Sequence, residues 1–544
     1  MQVMIENTIE NDSFIHKYTQ QNSEIHSFFD YNLSESDSQS RYNELIEKTF
    51  QRENLVHALK KYNEKYHPSP RALQQVERLR DPKSVVVVGG QQAGMLTGPL
   101  YTVNKIISIL LEAKNLEEKL SAPVIPIFWI AGEDHDIDEV NHTYFFDGEN
   151  SRKIRIAERN DIKSSMSDRY INVDEAKKEL EEAFLFLHET SYTKKLYNEL
   201  LLDLSEELTY TDWCAKILHR LFRDTDLVLM DAADPLIRKI EQPYFEQMVE
   251  KNDALREAFL EQGHLIKEQG LGEPISLEEE NAHLFFHEGN QRFLLERTDV
   301  GFREKQGVRE WTEAELLEQV KDGTLQLSNN VVTRPIMQDF LLPVHTFIAG
   351  PGELKYWAAL KQAFHQFDRH MPVVRPRLHL TLVSRKSEKN LMKYEMNPVD
   401  VTMGGVKKVQ QCLINEDKAV DEEQVLHEAE QELQKWLSKV QDNVAPLGKG
   451  VAPLNHLFQS KMKAEFHTYE KKVKQYLLVK NETHISRLND LEMEIKPHGN
   501  WQERYLNIYP YLNLYGDDLV KRTLSSLEES SVSNIAGSHL YIYL

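Results

Sequence analysis

The spacing of apolar residues divides this chain into segments of different character. From Tyr42 to Tyr66 they recur at helical spacing among many charges. Pro68 and Pro70 break the pattern, and a short helix over Arg71–Leu79 is expected next. The stretch up to about residue 80 therefore reads as helical. Then Ser84-Val85-Val86-Val87-Val88 runs without a polar break, between Asp81-Pro82 and Gly89-Gly90. A fully apolar β-branched run of this kind predicts a strand covered on both faces, which is the habit of parallel sheets. A helix is expected from about Leu100 to Leu116, with Ile106, Ile107, Ile109, Leu110 and Leu111 crowding its buried side. Ala122 to Ile130 is the next apolar run, and strand, helix, strand in this order is a βαβ unit.

The alternation is interrupted twice. Residues 151–210 are charged and helical, and read as a first insertion. The strand–helix pattern resumes over 211–270, with a strand at Leu227–Met230. His283 to Arg297 alternates as a hairpin with Glu288-Gly289-Asn290 at its turn, inside a second insertion at 271–330. The core returns over 331–384 with a strand at Val344–Ala349, a helix at 353–367 and strand-forming residues from Val373 to Val383.

Beyond residue 385 the spacing becomes that of a coiled coil. Ala419, Leu426, Ala429, Leu433, Trp436 and Val440 follow a spacing of three and four, with Glu422 as an interruption between the first two. A loop holding Pro446, Gly448, Gly450 and Pro453 follows. The seam restarts with Phe458, Met462, Phe466, Tyr469, Val473 and Tyr476, and continues through Leu488, Leu491 and Ile495. Two long helices joined by such a loop predict an antiparallel arm over 385–500, and an arm of this kind suits self-association. The aromatic tail, 501–544, ends in a strand-like Leu540–Leu544 expected to pack back on the core. The expected fold class is thus α/β: a Rossmann-like parallel-sheet core, interrupted twice, with a C-terminal α-helical antiparallel coiled-coil arm.

Composition narrows the function. The net charge is −22, from 65 basic and 87 acidic residues, which disfavours nucleic acid as a partner. Cys214 and Cys412 are the two cysteines and form no CxxC, so neither a disulfide framework nor a cysteine-rich zinc site is expected. Cys214 reads as a buried core thiol. The N-terminus has no signal-peptide pattern, and no run approaches the roughly 20 apolar residues of a membrane helix. A cytoplasmic protein with no membrane partner is expected.

In an open parallel sheet ligands bind beyond the carboxyl ends of the strands. Three such ends carry candidate chemistry. The first, Gly89 to Pro99, contains Gly90, Gly94 and Gly98, which let a backbone approach a ligand, and Gln91, Gln92 and Thr97, which can read one. It is neither GxGxxG nor a Walker loop, which disfavours a dinucleotide oxidoreductase. The second is Glu133-Asp134-His135-Asp136, followed by Asn141 and His142. Adjacent carboxylates repel, so this cluster calls for a cation, a metal or a bound amine, and His135 is the candidate acid–base group. Its spacing matches no zinc motif, and no metal ligand is assigned. Asp134 or Asp136 could alternatively serve as a helix N-cap. The third is His345 to Glu353, where Gly350-Pro351-Gly352 makes a sharp turn and His345 could alternatively be a satisfied core histidine. A fourth, weaker element is Ser384-Arg385-Lys386-Ser387 with Lys389.

The strings GGQQAGMLTGPLYTVNK (89–105), PIFWIAGEDHDIDEVNH (126–142) and IAGPGELKYW (348–357) closely resemble the bacillithiol biosynthesis cysteine-adding enzymes, the cysteine ligase family, and the resemblance runs essentially the whole length. It implies a Rossmann-type core with two connecting-peptide insertions, reminiscent of class I aminoacyl-tRNA synthetases, and a homodimer built on the coiled coil. The implied reaction joins the cysteine carboxyl to the amine of glucosaminyl-malate. No HIGH string is present, and the lysines at 386 and 389 only faintly match KMSKS. A carboxylate does not acylate an amine unaided, so ATP with Mg²⁺ is inferred from the reaction. Catalytic roles are expected for His135, Asp134, Glu133 and Asp136. Substrate contacts are expected at Gln91, Gln92, Thr97, Asn141, His142, His345, Gly350, Gly352 and Glu353. Nucleotide contacts are expected at Gly90, Gly94, Gly98, Lys386 and Lys389. The alternative is a non-catalytic nucleotide-binding scaffold that docks other enzymes of the pathway through its coiled coil.

Overall fold

The computed structural model describes residues 1–6, 13–158, 163–273, 275–416, 422–530 and 536–544. Five parallel strands form its central sheet: β1 (Val85–Gln91), β2 (Val124–Ile130), β3 (Val228–Asp231), β4 (Val344–Ala349) and β5 (Val373–Pro376). Their spatial order is β5-β4-β1-β2-β3. The chain thus starts in the middle of the sheet, winds out to β3, and returns to lay β4 and β5 on the other side. This is the doubly wound arrangement, and its strand order reverses between β1 and β4.

The apolar run at the start of β1 is the reason the sheet is covered on both faces. Val85, Val86, Val87 and Val88 are all completely buried. Val86 and Val88 join Ile125, Ile127, Met230 and the helix residues Leu55, Val56 and Leu59 in one core cluster. On the other face the helix Tyr101–Leu120 packs against β1 and β2, with Ile109 lying against Gly89. Each such valine contributes about 1.5–3 kcal/mol by leaving water.

Residues between the core strands build separate pieces. An antiparallel hairpin (His142–Phe146 with Ser151–Arg155) precedes the helices Val173–Phe186 and Thr193–Asp203. Residues Asn281–Asn329 contain a five-stranded antiparallel sheet, in which Asn281–Glu288 and Gln291–Thr298 form the expected hairpin. Gly289 at its turn has φ +56°.

The terminal segment differs from its expectation in one respect. His539–Tyr543 does not extend the central sheet. It lies between Gln2–Glu6 and His379–Val383 in a three-stranded sheet of its own. Pairing on both sides leaves no exposed edge on this apolar strand. Gln2–Glu6 is itself a strand in a region whose spacing predicted only helix.

The chain divides into two compact units, Met1–Val383 with Asn500–Leu544, and Ser384–Gly499. In the second unit Glu422–Val444 and Val451–Lys480 pack on each other as an antiparallel hairpin, and Glu482–Ile495 follows after Asn481. Gln459 Nε2 donates to Gln441 Oε1 at 2.7 Å across the pair. Leu426 and Leu437 are buried in the first helix, whereas Trp436 is 48% exposed. Leu437 is thus the more deeply buried of the two, while the half-exposed Trp436 ring meets Phe458 of the second helix edge-on at 6.0 Å. In the second helix Tyr469 and Tyr476 also face outward. Ala419 lies outside the described residues.

Candidate active site

The carboxyl ends of β1, β2 and β4 converge. A cavity of about 150 Å³ is lined by Gly90, Gln91 and Gln92 from the first, by Trp129, Ala131 and Asp134 from the second, and by Phe347 and Glu353 from the third. Arg334, Gln338 and Tyr356 complete its wall. It lies where the strand order reverses, the place a doubly wound sheet offers to a ligand.

Local sequence explains how the three loops are held together. Lys105, on the helix after β1, is buried and reaches back to Gly90 O at 2.7 Å, Gln91 Oε1 at 3.3 Å and Glu353 Oε2 at 2.5 Å. Burial outweighs Glu353 and lowers the pKa of its ammonium. Glu353 also accepts from Gly350 N at 2.6 Å, closing the Gly-Pro-Gly turn. Ala131 N donates to Gln91 O at 2.9 Å, and Gln92 bonds Glu139, so the first two loops are tied as well. A Cβ at Gly90 would sit 2.7 Å from Trp129 O, so only glycine lets these strand ends approach so closely.

The acidic cluster is compensated by arginines. Arg334 Nε donates to Glu133 Oε1 at 2.8 Å, and its Nη2 bonds Asp134. Arg238 Nη2 lies 3.3 Å from Glu133 Oε2, and Arg292 Nη1 lies 3.6 Å from Asp134 Oδ1. Burial opposes the Glu133 charge, but Arg334, Arg238 and Arg292 outweigh it and lower its pKa. Asp136 caps the short helix Ile137–Val140, accepting from Asp138 N at 3.2 Å. Among the described residues no group of three or more His, Cys, Asp or Glu side chains is arranged to hold a metal ion.

His135 is half buried beside this network. Its Nδ1 faces Arg292 Nη1 at 3.5 Å, and its ring meets Phe285 edge-on at 5.8 Å. Burial, then Arg292, lowers its pKa, so the imidazole is neutral near pH 7. Glu241 is completely buried, 3.6 Å from Arg238, with neither carboxyl oxygen hydrogen-bonded to a described residue. Burial pushes its pKa up to about 8.

Other expected site residues fall elsewhere. Gly94 and Gly98 pack on each other: a Cβ on Gly94 would sit 2.9 Å from the Gly98 Cα. Gly98 has φ +70° and ψ −153°, a conformation essentially confined to glycine. Thr97 is buried with φ +72°, and its Oγ1 has no hydrogen-bond partner among the described residues. The turn is held by Asn507, whose Nδ2 donates to Leu96 O and Gly98 O at 3.0 and 2.7 Å. Asn141 is buried behind the second loop, and His142 opens the hairpin strand that follows. Gly350 and Gly352 line a second opening, described below.

His345 is not brought to the cleft. It sits at the amino end of β4, five extended residues and so about 16 Å from Gly350. There it is a satisfied core histidine, with Nε2 2.9 Å from Ser38 O and Nδ1 2.9 Å from Thr346 Oγ1. Lys386 and Lys389 belong to the other unit. They lie on the helix Arg385–Lys393, capped by Ser384, and Lys386 pairs with Asp490 at 3.0 Å. Cys214 is buried as expected, its thiol pushed up to about 12 by burial.

Sequence reading did not assign the three arginines or Lys105. Lys105 left a signal, a lysine among the apolar residues of a helix face otherwise buried. Arg238, Arg292 and Arg334 left none, since each comes from a different element far along the chain.

Strand order, covered faces and a polar cleft at the point of reversal define a doubly wound, Rossmann-like protein. Comparison with known proteins makes this specific. The family described as "Bacillithiol biosynthesis BshC, N-terminal Rossmann-like domain" matches residues 1–378, and "Bacillithiol biosynthesis BshC, C-terminal coiled-coil domain" matches residues 380–534. Relatives named "Putative cysteine ligase BshC" include those of Bacillus licheniformis, 36% identical over 94% of this chain and 94% of the relative, and Bacillus cytotoxicus, 35% identical over 93% and 94%. That of Halalkalibacterium halodurans is 36% identical over 93% and 94%. The chain belongs to the BshC family of bacillithiol biosynthesis.

Proposed function

We propose that this chain is a cysteine ligase that forms the amide bond between cysteine and glucosaminyl-malate, after ATP activates the cysteine carboxyl. The observation that carries the reading is the single cavity shared by Gln91, Asp134 and Glu353, from three different strand ends, in a chain of this family. The names of the relatives support the same chemistry.

Cysteine is a zwitterion at neutral pH, and the cavity wall offers it both signs. Asp134 and Glu353 suit the ammonium and Arg334 the carboxylate. Glu133, fully buried among its arginines, acts by holding Arg334 in place rather than by touching substrate. Activation makes a bond between a cysteine carboxylate oxygen and a phosphorus of ATP, as a P–O bond of the nucleotide breaks and ADP or pyrophosphate leaves. The glucosaminyl amine then attacks the carbonyl carbon, the C–O bond breaks, phosphate or AMP leaves accordingly, and a proton departs from nitrogen. His135, neutral at pH 7, is the residue proposed to take it, exchanging its long contact to Arg292 for one to the amine. Magnesium would accompany the nucleotide, and no protein residue is assigned to it. A cytoplasmic setting fits a reaction that consumes ATP, and no described helix is long and apolar enough to cross a membrane. The exposed aromatic residues of the hairpin support a homodimer.

The test is direct. Purified protein with ATP, magnesium, cysteine and glucosaminyl-malate should yield bacillithiol by mass spectrometry, and none without ATP. His135→Ala and Asp134→Ala should each lower the rate at least about 100-fold in protein that remains folded. A folded double variant of full activity would remove the site assignment. Absence of product from the wild type would favour a non-catalytic scaffold.

A further inference from the structure

A second cavity, of about 210 Å³, opens on the other side of Gln91 and Glu353. Three cationic side chains from distant parts of the chain meet in its wall: Lys105, Arg377 and Arg504. Two of them are neutralised one to one. Lys105 pairs with Glu353 at 2.5 Å. Arg377 is buried and holds both oxygens of Glu503 at 2.6 and 2.7 Å. Glu503 is further occupied by His379 Nδ1 at 2.9 Å and Asn104 Nδ2 at 2.8 Å, so it has nothing left for a third cation.

Arg504 is that third cation. It is exposed on the short helix Gln502–Tyr505, and its guanidinium makes no ion pair or side-chain hydrogen bond with any described residue. The cavity wall therefore carries one positive charge in excess, at its rim. Lys105 can add a second donor without changing that net charge: Glu353 keeps the Gly350 N–H as a donor if Lys105 turns towards a ligand. The floor is bare, since a Cβ on Gly352 would meet nothing within 4 Å.

We propose that this cavity is a subsite for a multiply charged oxyanion, gripped by Arg504 and Lys105 beside the Arg377–Glu503 pair. The inference rests on the ligase reading, which supplies two such anions: the phosphate chain of the nucleotide and the dicarboxylate of the malyl group. Either would place its reacting partner across the Lys105–Glu353 pair from the first cavity. A planar guanidinium binds phosphate or carboxylate oxygens two at a time, which is why the unpaired arginine marks the anchor.

Calorimetric titration of the full-length chain with pyrophosphate, and separately with L-malate, tests this. At least one should bind the wild type. Arg504→Gln, an exposed change that leaves the buried pairs intact, should weaken that anion at least about tenfold, and Arg504→Lys should retain part of the affinity. Loss confined to pyrophosphate identifies the phosphate source, and loss confined to malate the malyl group. Equal binding to wild type and Arg504→Gln, or no binding of either anion to the wild type, overturns the subsite. Turnover separates this from the ligase reading. A wild type that makes product while Arg504→Gln keeps the same KM for both substrates refutes the subsite alone. A wild type that makes none refutes the ligase reading.

Discussion

The strand-end cleft and the helical hairpin solve opposite problems. In the cleft charged groups are buried: Glu133 is fully excluded from water, and Lys105 nearly so. In the hairpin apolar groups are exposed, with Trp436 at 48%, Tyr469 at 59% and Tyr476 at 67%. Buried charge is tolerable only when each ion has a partner. Exposed apolar surface is tolerable singly, but a helix pair that presents several large apolar side chains suits a partner surface. The first region should thus be sensitive to single changes within the chain. The second should be sensitive chiefly through what it meets.

The largest effect is expected where the charge network is cut. Arg334→Met removes the cation that holds both Glu133 and Asp134. A buried carboxylate left short of its partner costs about 3–5 kcal/mol. Urea unfolding should show a loss of that order, with activity abolished in the remaining folded protein. A change below about 1 kcal/mol would mean that Arg238 and Arg292 suffice for Glu133, and the cleft would be no more fragile than a surface.

Glu241 sharpens the contrast from the other direction. Its pKa is about 8 in the fold, raised by burial from an ordinary value of 4.5. Between these values the folded chain holds a proton that the unfolded chain has released, so stability falls as pH rises through this window. The penalty is absent below about pH 4.5 and complete above about pH 8. Glu241→Gln cannot ionise, so it should be more stable than the wild type by up to about 5 kcal/mol at pH 9. That difference should shrink steadily towards acid pH. Parallel curves of urea midpoint against pH for the two proteins would show that Glu241 is not the group responsible.

Smaller, and confined to one turn, is the effect of Gly98→Ala. The φ of +70° with ψ of −153° suits almost no residue but glycine, so the variant should lose about 1–3 kcal/mol. Because Gly98 packs on Gly94 rather than lining the cavity, KM for both substrates should change less than stability does.

What the sequence disclosed follows the same division. The strand run of valines, the acidic cluster and the glycine turns are local signals, and each appears in the fold where its spacing put it. The convergence of three strand ends could also be anticipated, since doubly wound sheets gather them at one edge. The partners of the acidic cluster could not. Arg238 lies on a helix after β3, Arg292 in an antiparallel sheet and Arg334 on the helix before β4, and no local pattern marks an arginine that will point inward. His345 misled by proximity in sequence: five residues of extended chain carry it to the opposite end of the strand from Gly350. In the hairpin the period was legible, and Leu426 is buried as its place in the seam predicts, but Trp436 stays half exposed while its neighbour Leu437 is buried, a one-residue difference that a periodic pattern does not encode.

The smallest effect on the folded chain is expected from the hairpin, and it is there that the comparison can fail most informatively. Tyr469 and Tyr476 lie one heptad apart on one helix and are both more than half exposed, so they form a stripe rather than scattered sites. Removing an exposed tyrosine takes little from a chain that does not use it, within about 0.5 kcal/mol. Tyr469→Ser with Tyr476→Ser should therefore leave urea unfolding of the dilute protein almost unchanged. Buried against a second copy, each ring would instead contribute hydrophobic area and aromatic packing. Sedimentation over a range of concentrations should then show a dimer in the wild type and a shift towards monomer in the double variant. If the variant stays dimeric at the same concentrations, the stripe is not the contact surface. If instead it unfolds far more readily than the wild type, the two rings serve the chain's own packing, and the division between a region held by internal pairs and one held by a partner is lost.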